Sequence, residues 1–277
     1  GVVAPIQLLS FELHYAQFFT LGFVALCIIA IKKNLGIARW HGPADSIHAA
    51  HRTDNELDIK SGLSSTLVAF LSASGGASVG QYGPLVHFGA VIGSALKRFS
   101  RSGISTDIFI GCGVAAAISA GFNAPIAGIL FAHNAIIRHF SLKAVAPIAV
   151  SSLVAASFSQ SLFGNNVAFQ ISSLPPDLIS VIPLALAVGP VFGLISIVMM
   201  NAIRYMGMLG TKSKLGYVKL TLIGATLCGV IGIFVPEVLG LGTETVRGLL
   251  SNEIAMDYLV ILLIFKILAT SLCIGLG

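Results

Sequence analysis

Gly75-Gly76-Ala77-Ser78-Val79-Gly80-Gln81-Tyr82-Gly83-Pro84 is a run of mostly small residues between two apolar segments. A helix that continued through the run would lose a hydrogen bond and clash at Pro84. The sequence therefore predicts a break, with Pro84 in the first turn of a new helix. From Pro84 to Leu96 this helix would be about 20 Å long, against roughly 30 Å of hydrocarbon in a bilayer. We therefore expect it to start inside the membrane.

The start of such a helix suits an anion. Its first backbone N–H groups lack intrahelical acceptors, its dipole is positive there, and glycine lets a ligand approach the backbone closely. Broken helices of this kind mark ligand sites in transport proteins. A glycine-rich crossing between closely packed helices has the same composition. On these residues alone, both interpretations stay open.

The composition is that of an integral membrane protein. Hydrophobic residues make up 56% of the 277 residues and charged residues 10%, with a mean hydropathy of +0.94, which is too apolar for a soluble domain of this length. The net charge of +5 comes from Lys and Arg at segment ends, as in membrane-protein loops, so we expect no nucleic-acid partner. The four cysteines lie in apolar segments without a CxxC pair, which predicts small core residues.

Both ends of the sequence indicate a piece of a longer protein. It begins at Gly1 without methionine, and it stops at Gly277 directly after an apolar segment. The start also lacks the charged region and cleavage pattern of a signal peptide. We therefore expect a chain that is truncated at both ends.

The positive charges set the expected topology. Residues 62–96 and 104–137 form two long apolar stretches, interrupted at Gly80–Pro84 and at Phe122–Pro125. If each stretch turns back as a hairpin, the flanking basic clusters are all cytoplasmic, as the positive-inside rule requires. Lys266 lies within the last apolar segment, where it either has a buried partner or snorkels to the interface. About ten helical segments result, the later ones at 144–158, 178–203, 220–235 and 258–272.

The most polar stretch, residues 32–60, offers weaker candidates. Pro43 followed by Asp45 predicts the start of a short helix. His48 and His51 share a helical face, but no third metal ligand is nearby, so we expect no metal site. The chain contains no paired carboxylates, HExxH, nucleophile elbow or P-loop, so the sequence predicts neither an enzyme nor a bound cofactor.

Two stretches resemble the CLC chloride channel and transporter family. Gly80–Pro84 is similar to the family's glycine-x-glutamate-glycine-proline signature, and Phe122–Phe131 to its asparagine-alanine-proline turn, which here follows a helix with Gly113–Ala117. The resemblance implies an all-α, polytopic membrane fold of inverted repeats with broken and half-spanning helices. Residues 1–158 would form most of the first repeat and residues 178–277 part of the second.

The resemblance also implies partners and a site. The protein would be a homodimer in the lipid bilayer, in a bacterium the cell membrane, with one anion pathway in each subunit and chloride as the transported ion. The family's third pore motif would lie beyond Gly277, so this chain alone should not conduct. By the match of motifs, the anion pathway would involve Gly80, Gln81, Tyr82, Gly83 and Pro84, together with Gly42 and Pro43.

Departures from the family pattern bear on the mechanism. Tyr82 stands where the family carries its gating glutamate, and Ala135 where exchangers carry a second proton glutamate. A phenol with a pKa near 10 and a methyl group cannot relay protons at neutral pH. His87 and His133 are the nearby titratable groups, and we expect each to be a packed core histidine.

Two further departures concern the pathway itself. Gln81 replaces a commonly basic residue, which removes a charge that would attract anions. The serine of the family's first pore motif has no counterpart at Trp40–Gly42, unless the alignment shifts towards Asp45 or Ser46. The inner side of the pathway is thus the part that the resemblance specifies least.

These residues together predict passive, uncoupled anion conduction through a channel, with Tyr82 at the gate position and Ala135 at a lost proton-relay position. Two alternatives stay open. The first is a chloride/proton antiporter, or a carrier of another anion, with an atypical proton pathway. The second is a membrane scaffold that transports nothing.

Overall fold

The computed structural model describes residues 3–52, 54, 57–138, 142–164, 178–251 and 256–277. In these ranges all regular structure is helical, which confirms the predicted all-α class. A π-helix (Ala132–Ile137) and a short 3-10 helix (Pro236–Val238) accompany the α-helices. In chain order the α-helices are α1 (Val3–Leu35), α2 (Pro43–His51), α3 (Ile59–Ser74), α4 (Tyr82–Phe99), α5 (Thr106–Phe122), α6 (Pro125–Phe131), α7 (Leu142–Phe163), α8 (Leu178–Lys212), α9 (Tyr217–Phe234), α10 (Thr243–Leu250) and α11 (Met256–Leu276).

Five helical segments are long and apolar enough to cross a bilayer. They contain no more than two charged residues in the apolar window that defines each span. Four of them overlap the apolar segments predicted at 144–158, 178–203, 220–235 and 258–272, and the five confirm a polytopic membrane protein. The five are Ala16–Leu35, Leu142–Phe163, Val181–Lys212, Tyr217–Phe234 and Asp257–Leu276.

The second predicted break is confirmed. Helix α5 ends at Phe122, and Asn123 adopts the left-handed conformation with φ of 53°. Asparagine is one of the few residues besides glycine that visits this conformation readily. Helix α6 then begins at Pro125, whose fixed φ suits a first helical position.

The described residues form two compact units. One contains residues 31–70 and 80–164, and its core includes Ala90, Ile110, Val114 and Ile148. The other contains residues 3–30, 71–79 and 178–277 with the gap noted above, and its core includes Cys228, Val238, Leu262 and Ala269. The proposed repeat boundaries at 1–158 and 178–277 stay a prediction.

Glycines allow α4 and α5 to pack backbone against backbone. A methyl group added to Gly89 would collide with the carbonyl of Gly113, and one added to Gly113 would collide with the carbonyl of Gly89. One helical turn further, Gly93 stands equally close to the carbonyl of Phe109. The crossing holds the first unit together and fixes the direction of α4.

Lys266 has a buried partner. Its ammonium group donates hydrogen bonds to the carbonyls of Val238 at 2.8 Å and Gly240 at 3.1 Å. Of the two interpretations of this lysine, the structure therefore favours a buried bond over snorkelling. The contact ties α11 to the turn that follows α9.

Candidate functional site

The first break separates α3, which ends at Ser74, from α4, which begins at Tyr82. Within the run, Gly76 has φ of +90°, a conformation that favours glycine. Pro84 is the third residue of α4, so its predicted place in the first turn is confirmed. The helix has 18 residues, about 27 Å, and is longer than the Pro84–Leu96 stretch predicted.

The two interpretations of the glycine run, an anion site and a close crossing of packed helices, apply to different residues. A Cβ on Gly75 would lie 2.6 Å from Val24 Cγ2, so this glycine permits close packing of helices. A Cβ on Gly80 would meet nothing within 4 Å. In α4 the amide of Leu85 bonds to the carbonyl of Gln81 at 3.0 Å. The amides of Tyr82 and Gly83 precede this first bond and have no intrahelical acceptor.

Helix α2 starts as the sequence predicts, with Gly42 before its first residue, Pro43. The Asp45 carboxylate accepts a hydrogen bond from the Gly42 amide at 2.8 Å and one from the Arg39 guanidinium at 2.5 Å. Burial alone would raise the pKa of Asp45, but these two bonds, together with the electrostatic effect of Arg39 and His41, hold that pKa below its usual value. The Gly42 amide thus already donates its hydrogen bond to an ionised carboxylate of the protein. The sequence had predicted that Gly42 belongs to the anion pathway.

A cavity of about 430 Å³ lies where the starts of α2, α4 and α6 approach one another. We call it the helix-start cavity. The ring of Pro43 lies 3.4 Å from the place that a Cβ on Gly83 would take, so the starts of α2 and α4 are in contact. The lining residues are Pro43, Tyr82, Gly83, Val86, Ile118, Phe122, Ala124, Ala127 and Phe131.

Three of the predicted site residues, Pro43, Tyr82 and Gly83, line this cavity. The others, Gly42, Gly80, Gln81 and Pro84, flank them in sequence and are absent from its lining. Their role in an anion pathway stays a prediction.

Tyr82, at the predicted gate position, lies on an aromatic ring. Its ring stacks on that of Phe122 with centroids 3.8 Å apart and planes inclined by 19°. Because Phe122 is the last residue of α5, the stack joins the first break to the second. It gives the tyrosine a defined place in the wall, a contact that neither motif reveals by itself.

His87 packs in the interior, as we expected. Its ring is 1% exposed, and it is absent from the lining of the helix-start cavity. Its Nδ1 lies 2.7 Å from the hydroxyl of Ser46. Ser46 is one of the two residues that could correspond to the serine of the family's first pore motif. It contacts a histidine and does not line the cavity.

The predicted relay positions lie in the π-helix that continues α6. Ala135 is half-buried there, Asn134 is exposed, and His133 is 1% exposed. π-Helical turns occur often at functional positions, but the side chains of Asn134 and Ala135 bind no proton at neutral pH. The interior position of His133 agrees with a core histidine.

A second cavity in the same unit is strongly charged. It measures about 700 Å³, and we call it the basic cavity. Its Arg and Lys side chains come from the segment before α2, from the end of α2, from the first turn of α3 and from the last turn of α4. The lining residues are Arg39, His41, Asp45, His48, Ala49, Arg52, Leu57, Asp58, Ile59, Lys60 and Arg98.

The carboxylates of the basic cavity are engaged. Asp45 bonds as described, and Asp58 accepts hydrogen bonds from the hydroxyl and amide of Ser61, which hold the pKa of Asp58 below its usual value. The two ion pairs among the described residues are Arg39–Asp45 and Arg52–Asp54. Lys60 and Arg98 belong to neither and supply positive charge to the cavity.

The basic cavity escaped the sequence analysis. Its cations are spread over 60 residues of sequence, and the available signal was only the polarity of residues 32–60 together with the basic end of α4. His48 lines this cavity. In the part of the chain that the structure describes, no three metal-ligating side chains lie together.

Comparison with known proteins identifies the family. The sequence profile described as "Voltage gated chloride channel" matches residues 22–277. The voltage-gated ClC-type chloride channel ClcB of Citrobacter koseri is 25% identical over 247 residues, which cover 86% of this chain and 57% of the relative. The chain thus spans about half the length of the relatives that it matches.

Two solved structures share the fold. A slow cyanobacterial Cl−/H+ antiporter has a TM-score of 0.78 at 17% identity, covering 100% of this chain and 65% of the other. A CLC-type fluoride/proton antiporter has a TM-score of 0.66 at 20% identity, covering 99% and 77%. With a family profile over residues 22–277 and this fold, the chain belongs to the voltage-gated chloride channel (CLC) family of integral membrane proteins.

Proposed function

We propose that the full-length protein conducts anions passively across the membrane, with chloride as the expected ion, and that the helix-start cavity belongs to the pathway. One observation carries the proposal. The starts of α2 and α4 meet at a cavity whose lining, within the described residues, contains no carboxylate, imidazole or amine. An anion can be held there by backbone amides.

The amides of Tyr82 and Gly83 are the proposed ligands. They precede the first intrahelical bond of α4, and the positive end of the helix dipole lies at the same place. The Tyr82 hydroxyl adds a hydrogen-bond donor on the cavity wall. Gly42, Gly80, Gln81 and Pro84 shape the approach to these groups. At Gly42, the bonded Asp45 carboxylate limits any direct contact with an anion.

The basic cavity is the proposed inner entrance. By the positive-inside rule, its Lys60 and Arg98 lie on the cytoplasmic side. Positive charge in a concave site raises the local concentration of anions. Because Asp45 lines the basic cavity and Pro43 lines the helix-start cavity, the start of α2 connects the two. We expect the full-length protein to be a homodimer with one such pathway in each subunit.

A proton-coupled antiporter is the second candidate. It is favoured by the descriptions of the two structural neighbours as antiporters. In this chain the proton would need a group other than Tyr82 and Ala135. The imidazoles closest in sequence to these two positions are those of His87 and His133, both 1% exposed. Coupling through either would be a different pathway from the one that the family's glutamates provide.

The test is anion efflux from liposomes that contain the full-length protein, with a potassium ionophore present to prevent charge build-up. We expect chloride to leave without a linked movement of protons. Efflux with protons moving in fixed ratio would favour the antiporter. If neither chloride nor another halide leaves faster than from protein-free liposomes, the scaffold interpretation replaces the proposal.

A further inference from the structure

A third cavity, in the unit that contains residues 31–70 and 80–164, is a groove between α4, α5 and α7. We call it the apolar groove. It measures about 550 Å³, which is within the range of ligand pockets. Its floor contains the small residues through which α4 and α5 pack, such as Gly89 and Gly113, and its walls carry large apolar side chains, such as Ile92 and Phe158. The three helices leave this space unfilled.

The surface of the groove suits an apolar occupant. The two serine hydroxyls of its described lining donate to carbonyls of α5, Ser151 to Cys112 at 2.9 Å and Ser159 to Ala120 at 3.1 Å. They therefore offer no donor to a ligand. A polar group inside the groove would lose its hydrogen bonds to water without replacement, which is costly.

The length of the groove matches one leaflet of a bilayer. On α4 the lining extends from Leu85 to Leu96, which is about 17 Å at the helical rise. Half of the hydrocarbon core of a bilayer is about 15 Å thick. An acyl chain of one leaflet can thus lie along the whole groove.

Positive side chains stand at one end of the groove. The ammonium group of Lys97, in the last turn of α4, lies 5.6 Å from the centroid of the Phe109 ring, which lines the groove. It donates to the carbonyl of Ser102 at 2.9 Å and has further N–H groups to donate. Lys143 is exposed in the first turn of α7, four residues before the lining residue Pro147, and therefore on the same helix face.

The rest of the groove carries no formal charge. Residues 81–96, 108–124 and 144–164 of its three helices contain no Lys, Arg, Asp or Glu. Asp107 of α5 stands two residues before Phe109 and therefore on another face of that helix. By the positive-inside rule, the end with Lys97 and Lys143 faces the cytoplasm. The groove thus complements a molecule with an anionic head at the cytoplasmic surface and an apolar tail.

We propose that the apolar groove binds an anionic phospholipid of the cytoplasmic leaflet, with one acyl chain along α4, α5 and α7 and its head group at Lys97 and Lys143. Basic pockets between membrane helices on the cytoplasmic side bind anionic head groups in this way. A zwitterionic phospholipid would bring a positive group close to the two lysines, so the site prefers a head group of net negative charge. The inference goes beyond the proposed function and does not depend on it.

The experiment is native mass spectrometry of the full-length protein, titrated in detergent with phosphatidylglycerol or with phosphatidylethanolamine of identical acyl chains. The double variant Lys97→Gln, Lys143→Gln removes both cations. Ala155→Phe places a ring in the groove, because Ala155 of α7 belongs to its lining. Elution volume and melting temperature establish that each variant is folded.

Each variant has a matched control. The double variant Lys212→Gln, Lys214→Gln removes two cations from the other compact unit. Val154→Phe adds a ring to α7 at the neighbouring position, which is 62% exposed and absent from the lining of the groove.

We expect the wild type to bind phosphatidylglycerol about tenfold more tightly than phosphatidylethanolamine. The variant Lys97→Gln, Lys143→Gln should bind the two lipids about equally, since each lysine near an anionic lipid contributes about fivefold in affinity. Ala155→Phe should bind both lipids several-fold more weakly, because the ring takes the space of the acyl chain. Both control variants should bind the lipids as the wild type does.

Four results would overturn the inference. Equal binding of the two lipids by the wild type would remove the preference for an anionic head, and equal losses in the control variants would place the lipid elsewhere. Unchanged binding by Ala155→Phe would mean that another part of the full-length chain covers the groove. If Ala155→Phe separates a dimer into monomers, the groove is an interface between copies. Anion flux can persist in all four cases, so the proposed function would still stand.

Discussion

The helix-start cavity and the basic cavity both touch the start of α2, yet their walls have opposite character. Among the described residues, Tyr82 is the one polar side chain in the lining of the helix-start cavity, whereas most of the residues that line the basic cavity are charged. Charged side chains attract anions over several ångströms but also hold them and their water. Backbone amides at a helix start stabilise a dehydrated anion without a counter-ion. The comparison indicates that attraction and dehydration take place at different positions.

The largest expected effect comes from filling the helix-start cavity. Gly83→Leu places a branched side chain against Pro43, whose ring is 3.4 Å from the Cβ position. Anion efflux should fall about tenfold or more, because an apolar side chain would block the space and cover the amides. Gly103→Leu is the control, because a Cβ there meets nothing within 4 Å. Equal activity of the two variants would place the pathway elsewhere.

A smaller change in the same cavity concerns Tyr82. Tyr82→Phe preserves the stack on Phe122 and removes only the hydroxyl. If that hydroxyl donates to the anion, flux or apparent chloride affinity should drop about two- to tenfold, the range for one hydrogen bond. Tyr205→Phe, on an exposed face of α8, is the control. Unchanged transport would leave the backbone amides as the sole proposed ligands.

The contribution of the basic cavity to anion efflux should depend on salt concentration, unlike that of the helix-start cavity. The double variant Lys60→Gln, Arg98→Gln should lower efflux about threefold at roughly 0.01 M ionic strength and little at roughly 1 M, where the Debye length is about 3 Å. Arg101→Gln provides the control, because Arg101 is absent from the lining. A loss that persists at high salt would mean that these residues act by packing.

The smallest expected effect is on stability. Because the pKa of Asp45 is held below its usual value, its contribution to stability is present at neutral pH and is lost as the pH falls below about 4. Asp45→Asn should cost about 0.5–1.5 kcal/mol at pH 7, the range for one hydrogen bond. It should also flatten the acid loss of melting temperature.

Asp54→Asn is the control for this measurement, since the ion pair of Asp54 with Arg52 is exposed. Exposed pairs contribute little to stability. A variant Asp45→Asn as stable as the wild type at both pH 7 and pH 3 would contradict the cap at the start of α2.

Much of the fold could be predicted from sequence, because proline and asparagine specify backbone conformation locally. The start of α6 at Pro125, the start of α2 at Pro43 and the first-turn position of Pro84 all follow from residues within one or two positions. The prediction of the ends of α4 was less accurate, since the helix extends beyond Pro84–Leu96 to Tyr82 and Phe99. Its N-terminal extension contacts an aromatic residue of another helix.

The site could be predicted only in part. Motifs identify Tyr82, Gly83 and Pro43, but the contacts among them depend on the packing of separate helices. The stack of Tyr82 on Phe122 and the Ser46–His87 bond join residues that are 40 or more positions apart in the chain, and the basic cavity brings Arg98 to residues 39–60. Local patterns carry no information on such distances, so these features emerge only from the folded structure.

The most direct measurement is the pH inside liposomes that contain the full-length protein, started at equal pH with an outward chloride gradient and a potassium ionophore. Passive conduction predicts rapid chloride loss and an internal pH that stays at the protein-free baseline. A pH change that grows in fixed proportion to the chloride lost, and that His87→Gln or His133→Gln abolishes, would contradict uncoupled conduction and assign the proton to that histidine.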